Sequence, residues 1–153
     1  MTALRNLSII IVLLGVAAIV VGVAFIGLGV ARNYELKEAM RVEHVTLGIE
    51  GQETSQVIDS LNESKVAGDT IRDHRRGIAP TYEALLEGGR YDPTNAQQLT
   101  YAQALNLENY LYLAVVAFGL TQAVMGTGAF MVLTGLAIGA TGVALYQVQR
   151  RLR

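Results

Sequence analysis

Residues 127–147 read TGAFMVLTGLAIGATGVALYQ. Cut in sevens, the stretch becomes TGAFMVL, TGLAIGA, TGVALYQ. Each step opens on a Thr-Gly pair: Thr127-Gly128, Thr134-Gly135 and Thr141-Gly142. Seven residues are nearly two turns of α-helix, so these glycines share one face and drift only ~20° per repeat. A bare track along an uncharged apolar helix lets another backbone approach closely. Gly119 and Gly126 form a second pair at the same interval, in a different phase.

A matching track lies near the amino end. Residues 8–31, SIIIVLLGVAAIVVGVAFIGLGVA, carry Gly15, Gly22 and Gly29, again seven apart. Neither this run nor residues 109–149 contains Asp, Glu, Lys or Arg. A bilayer core of ~30 Å is crossed by about 20 apolar residues of helix, and the first run exceeds that. It also exceeds the roughly 7–15 apolar residues of a signal peptide, so a retained anchor is expected. The second apolar run, Leu113 to Leu145, would be ~50 Å long as helix, more than a tilt of about 40° accommodates. With Arg5 and Arg150 at one interface, residue 31 should lie level with about residue 124. Asn106 to Thr121 would then project past the lipid and need a protein cover.

Charge divides the chain in the same places. All 13 acidic residues and eight of the 12 Lys and Arg fall within 32–111, for a local net charge of 8 − 13 = −5. Arg5, Arg150, Arg151 and Arg153 flank the apolar runs. Basic residues beside membrane ends favour the cytoplasmic side, which predicts both termini in the cytoplasm of a bacterial inner membrane and the acidic loop outside. The acidic middle lacks the clustered basic face of a nucleic-acid binder. With no cysteine, disulfides and thiolate metal sites are excluded.

The expected fold is all-α: a transmembrane helical hairpin of two glycine-striped helices, carrying a small helical extracytoplasmic domain. Residues 1–31 form the first span and 32–111 the outer domain. Residues 112–153 form the second span and a basic tail. Leu36, Met40 and Leu47 keep helical period, so the first helix should continue to about 47 and stop at Gly48 or Gly51. Residues 52–78 read as an amphipathic helix weakened by Gly68. Pro80 opens a short helix that Gly88-Gly89 ends. Asp92-Pro93 marks a turn, and the last helix begins near Thr94 or Asn95.

Catalytic chemistry is sparse in this pattern. An intramembrane ionisable residue is the usual mark of a proton relay or ion path, and neither apolar run has one. His44 and His74, with Glu43 or Asp73, could in principle supply a two-His, one-carboxylate iron site. His74, however, sits beside Arg72, Arg75 and Arg76, whose charge opposes a cation. The Arg-rich cluster reads as a solvated face or as ion-pair partners for nearby acids.

Four stretches carry a family likeness: AGDTIRDH (67–74), TYEALL (81–86), YDP (91–93) and TYAQALNLENYLYLAVVAFGLTQAVMGTG (100–128). The chain resembles a family of small two-span membrane proteins from actinobacteria and Chloroflexi that often bear the label aromatic ring-opening dioxygenase LigA. Where that family has Lys-Thr-Tyr-Ala, this chain has Ala79-Pro80-Thr81-Tyr82. The resemblance implies a membrane protein without assigned chemistry. The expected role is structural: an accessory subunit or homo-oligomer packed through Gly15, Gly22, Gly29, Gly119, Gly126, Gly128, Gly135 and Gly142, with hydroxyls from Thr127, Thr134 and Thr141. Its expected partners are the lipid bilayer and other membrane subunits, with no cofactor and no enzymatic activity. The alternatives are a homo-oligomeric channel and a non-haem iron dioxygenase relative.

Overall fold

A computed structural model describes residues 2–43, 46–47 and 56–151. Helix α1 spans Thr2–Val42, α2 Leu61–Ile78, α3 Tyr82–Leu86 and α4 Ala96–Arg151. Strands β1 (Thr46–Leu47) and β2 (Gln56–Val57) form a two-residue antiparallel ladder, Thr46 opposite Val57 and Leu47 opposite Gln56. The described chain is therefore essentially all-helical. Two of its helices, α1 and α4, are long and apolar enough to cross a membrane. The chain divides into two units, residues 1–33 with 120–153, and residues 34–119.

Two boundaries differ from the sequence expectation, each for a local reason, and the start of α4 agrees with it to within a residue or two. Helix α1 stops at Val42, not near 47. β-branched Val42 and Thr46 lose side-chain freedom in a helix and favour strand, and Thr46 and Leu47 pair with β2 instead. Gly48 and Gly51 lie outside the described residues. Helix α2 starts at Leu61, nine residues later than 52, because Ser60 caps it. The Ser60 hydroxyl accepts from Glu63 N at 3.2 Å, and the Glu63 carboxylate reaches back to Asp59 N at 3.0 Å. That reciprocal pattern is a capping box with its return bond one residue early. Helix α4 starts at Ala96, where the Asn95 side chain accepts from Gln97 N and Gln98 N.

The short α3 behaves as its residues dictate. Thr81 caps it by accepting from Ala84 N at 3.1 Å. Glu87 and Gly88 turn into the left-handed region, with φ of 48° and 79°, and end it. Glycine takes that conformation without steric cost.

Within residues 34–119 the apolar residues form two small cores. Ile58, Ala67 and Leu111 are buried together, with Met40 and Ile71 packed against them. Ala79, Leu85 and Tyr101 make the second, bordered by Ile78 and Leu105. Gly68 sits where α2 meets α4, and a Cβ there would lie 3.4 Å from the Tyr112 ring and 3.5 Å from Leu111. The glycine weakens the helix by ~1 kcal/mol relative to Ala, yet it brings the two helices together. Leu111, Ala114 and Phe118 are buried here, so one face of the early part of α4 is covered, whereas Tyr110, Leu113 and Val116 on the other face stay more than half exposed.

Candidate functional site

The unit made of residues 1–33 and 120–153 is organised by absent side chains. On α1 the buried residues are Ser8, Gly15, Gly22 and Gly29; on α4 they are Thr121, Gly128, Gly135 and Gly142. Both sets recur every seven. A Cβ on Gly15 would lie 2.7 Å from Gly135 O and from Gly139 N; one on Gly22, 2.6 Å from Gly128 O; one on Gly29, 3.0 Å from Thr121 O. Conversely, a Cβ on Gly128 would meet Gly22 O at 2.5 Å, one on Gly135 would meet Gly15 O at 2.7 Å, and one on Gly142 would meet Val12 N at 2.9 Å. Each step of seven forward on α1 is a step of seven backward on α4, so the helices run antiparallel.

These positions admit no side chain, because the obstacles are mainly backbone atoms. The reciprocal approach of Gly22 and Gly128 directs an α-hydrogen of each toward the other's carbonyl. Such Cα–H···O contacts are worth about 0.5–1 kcal/mol each. Ile19, Ile26 and Val132 fill the spaces between glycine levels, their side chains or amides lying 2.8–3.0 Å from the would-be methyls. One polar link closes the seam near its end: Asn33 Nδ2 donates to Thr121 Oγ1 at 3.0 Å. The register puts residue 31 level with about residue 121, three residues from the expected 124. The glycine contacts, not the terminal arginines, set that level.

The remaining named residues lie elsewhere. A Cβ on Gly126 would meet nothing within 4 Å, and one on Gly119 would meet only Leu61 Cδ1 at 3.8 Å. Thr127 and Thr141 are exposed and Thr134 is half-buried. The Thr141 hydroxyl donates to Ala137 O at 2.9 Å, one turn back on its own helix. Thr121 and Ser8, absent from the sequence-based set, continue the two stripes. Each stands seven residues before a stripe glycine, and a search for small residues rather than glycines alone would have found them.

The outer faces of this unit carry the large side chains. Leu13, Leu14, Val20 and Val23 on α1 and Phe130, Leu133 and Leu136 on α4 are all more than half exposed. The smallest residues are inside and the largest apolar ones outside, the inverse of a water-soluble core.

Residues 34–119 hold a polar cluster that the sequence did not disclose. Arg75 is 8% exposed, Glu108 7% and Tyr101 1%. Arg75 Nε donates to Glu108 Oε2 at 2.6 Å, Nη2 donates to Oε1 at 3.4 Å, and Nη1 donates to the Tyr101 hydroxyl. The guanidinium carbon also stands 4.9 Å from the Tyr101 ring centroid, within cation–π range. The Glu108 hydrogen bond raises the Arg75 pKa above its ordinary value, against an opposing desolvation by burial. Beside it, Tyr112 donates to Asp69 Oδ1 at 2.5 Å, and Arg72 Nη1 donates to the Tyr112 hydroxyl at 2.7 Å. The hydrogen bond from Lys65, then that from Tyr112, holds the Asp69 carboxyl down at about 2. These hydrogen bonds tie α2 to α4, although the buried Arg72 Nε has no hydrogen-bond partner among the described residues.

His74 is exposed on α2, next to Arg75. His44 lies outside the described residues, and among the described residues no three His, Asp or Glu side chains converge on one point. The described residues thus bring no ligand set to His74 for the iron that the dioxygenase label would imply. No protein-family model, curated protein or solved structure matches the chain.

Proposed function

We propose that the chain is an integral membrane protein of the bacterial inner membrane whose work is architectural. Helices α1 and α4 cross the bilayer as a glycine-sealed hairpin, both termini lie in the cytoplasm, and residues 32–111 form an extracytoplasmic helical domain. The chain acts as an accessory subunit or as the repeating subunit of a homo-oligomer. One observation carries this reading: the helix pair buries its smallest residues and turns Leu, Val and Phe outward. In water, that much contiguous apolar surface would drive aggregation; in lipid it is the correct exterior. The absence of Asp, Glu, Lys and Arg from 8–31 and 109–149 supports a structural role over a proton or ion path. A channel lined by the threonine track has less support, since the Thr141 hydroxyl is already used by its own helix.

The test is carbonate extraction of membranes, followed by the native mass of the intact chain in mild detergent. The expected result is retention in the membrane pellet and a defined multiple of the 16.4 kDa chain, or co-purification with a larger membrane complex. Recovery of the full chain in the aqueous fraction would overturn the reading. So would protease access to residues 32–111 from the cytoplasmic side, for its topology.

A further inference from the structure

Resting on that two-span reading, we infer that a groove on the α1–α4 pair seats an anionic phospholipid, its phosphodiester on Arg32 and one acyl chain along Leu28, Leu120 and Val124. The groove is lined by Leu28, Gly29, Arg32, Leu120, Thr121 and Val124 and encloses about 250 Å³. Its floor is the seam itself, where Gly29 packs against Met125 and the Thr121 carbonyl and the Thr121 hydroxyl accepts from Asn33.

The groove has a direction. The glycine register sets Leu28 beside Val124 and Arg32 beside Leu120. Apolar walls therefore run toward the middle of the helix pair, and the one charged lining residue stands at the far end. Arg32 is also the first charged residue after the uncharged run that starts at Asn6, so on the two-span reading it marks the lipid–water boundary. A slot with apolar walls and a cation at its wet end matches a fatty chain joined to a phosphate.

Arginine suits the head. Its planar guanidinium takes phosphate oxygens bidentately and is weakly hydrated. Arg32 already takes part in an interaction within the protein, and a bound phosphate would share its guanidinium with that partner. The site reads the charge of the head, because no further polar lining group is left to read its substituent. A second groove near the opposite end of the pair is lined, among the described residues, by Ser8, Ile9, Val12, Leu13, Val143 and Tyr146, none of them charged.

The test is native mass spectrometry of the intact chain with phosphatidylglycerol and phosphatidylcholine of identical acyl chains. The wild type should retain phosphatidylglycerol in preference. Arg32→Gln should cut that preference about fivefold, the effect of one basic residue at an anionic lipid surface. Val124→Trp should lower retention of both lipids, and Arg150→Gln should change neither. Inorganic phosphate should fail to compete. An unchanged preference in Arg32→Gln overturns the proposal, as does equal retention of the two lipids in the wild type. A dimer that Val124→Trp dissolves would give the groove to a second copy and overturn it too. Carbonate extraction separates the two levels: release of the chain defeats the two-span reading, whereas a chain that stays without lipid preference defeats this site alone.

Discussion

Gly22 and Gly128 stand back to back across the α1–α4 seam, and a methyl group built on either meets the other's carbonyl oxygen, at 2.6 and 2.5 Å. Neither obstacle is a side chain that could swing aside. The helices must separate before a methyl fits. In α-helical segments this overrides the ordinary preference for Ala over Gly.

Gly22→Ala should therefore destabilise the helix pair by about 1–3 kcal/mol, the usual cost of overpacking. Gly126→Ala should be neutral or stabilising by up to ~1 kcal/mol, since its methyl enters open space and Ala is the better helix former. Thermal unfolding in mild detergent, followed by circular dichroism, ranks the two. Equal melting temperatures would remove the close approach from the account.

Thr121→Val keeps the volume and shape of the side chain and deletes the acceptor for Asn33. Interhelical hydrogen bonds in membrane proteins average ~0.6 kcal/mol. A loss near that figure is expected in the same assay, and an Asn33→Leu, Thr121→Val double variant should lose little more than either single change. Additive losses would show that the two side chains act separately.

The buried pair of Arg75 and Glu108 predicts an asymmetric result. Glu108→Gln leaves a guanidinium without its counter-charge and should cost about 3–5 kcal/mol. Replacing both, as Arg75→Met with Glu108→Leu, should recover most of that loss, because well-packed apolar pairs often match buried ion pairs. Hydrogen exchange along α2 provides the measurement. If the double variant is as unstable as Glu108→Gln, lost packing rather than an orphaned charge is responsible.

Acid should loosen the α2–α4 contact through Asp69. Its folded-state pKa of about 2 lies below the ordinary 3.8. The carboxylate's contribution is complete above 3.8 and disappears as pH falls from there to about 2. Asp69→Asn should flatten the acid limb in that window while leaving the neutral-pH fluorescence of the tyrosines unchanged in shape. An acid limb identical to the wild type would assign the loss to other carboxylates.

The seven-residue spacing of Gly15, Gly22, Gly29, Gly128, Gly135 and Gly142 was legible because helical period is a property of one chain segment. Which glycine faced which was not, since Gly119 and Gly126 repeat at the same interval and differ only in what stands opposite. Ser8 and Thr121 escaped notice for a chemical reason: they are small but polar, and they fill seam positions that glycine fills elsewhere. The end of α1 was misjudged because Leu47 keeps helical period while Thr46 beside it has a partner in β2. The Arg-rich cluster read as a solvated face or as ion-pair partners for nearby acids, and for Arg75 the second holds, with Glu108. The burial of Arg75 depends on Tyr101 and Glu108, which lie seven apart on α4 and meet it only after the chain has folded back.

The contact between Gly22 and Gly128 closes a loop that holds most of the polypeptide. A ribosome that has just delivered the first hydrophobic segment has not yet made its mate. That segment must wait, unaccompanied, through the synthesis of everything between, and it has no charge or strong polar group to betray it in the meantime. On the two-span reading its pairing is thus among the last events of biogenesis, and a chain truncated before residue 128 would leave the bare groove of α1 open to whatever neighbour arrives first.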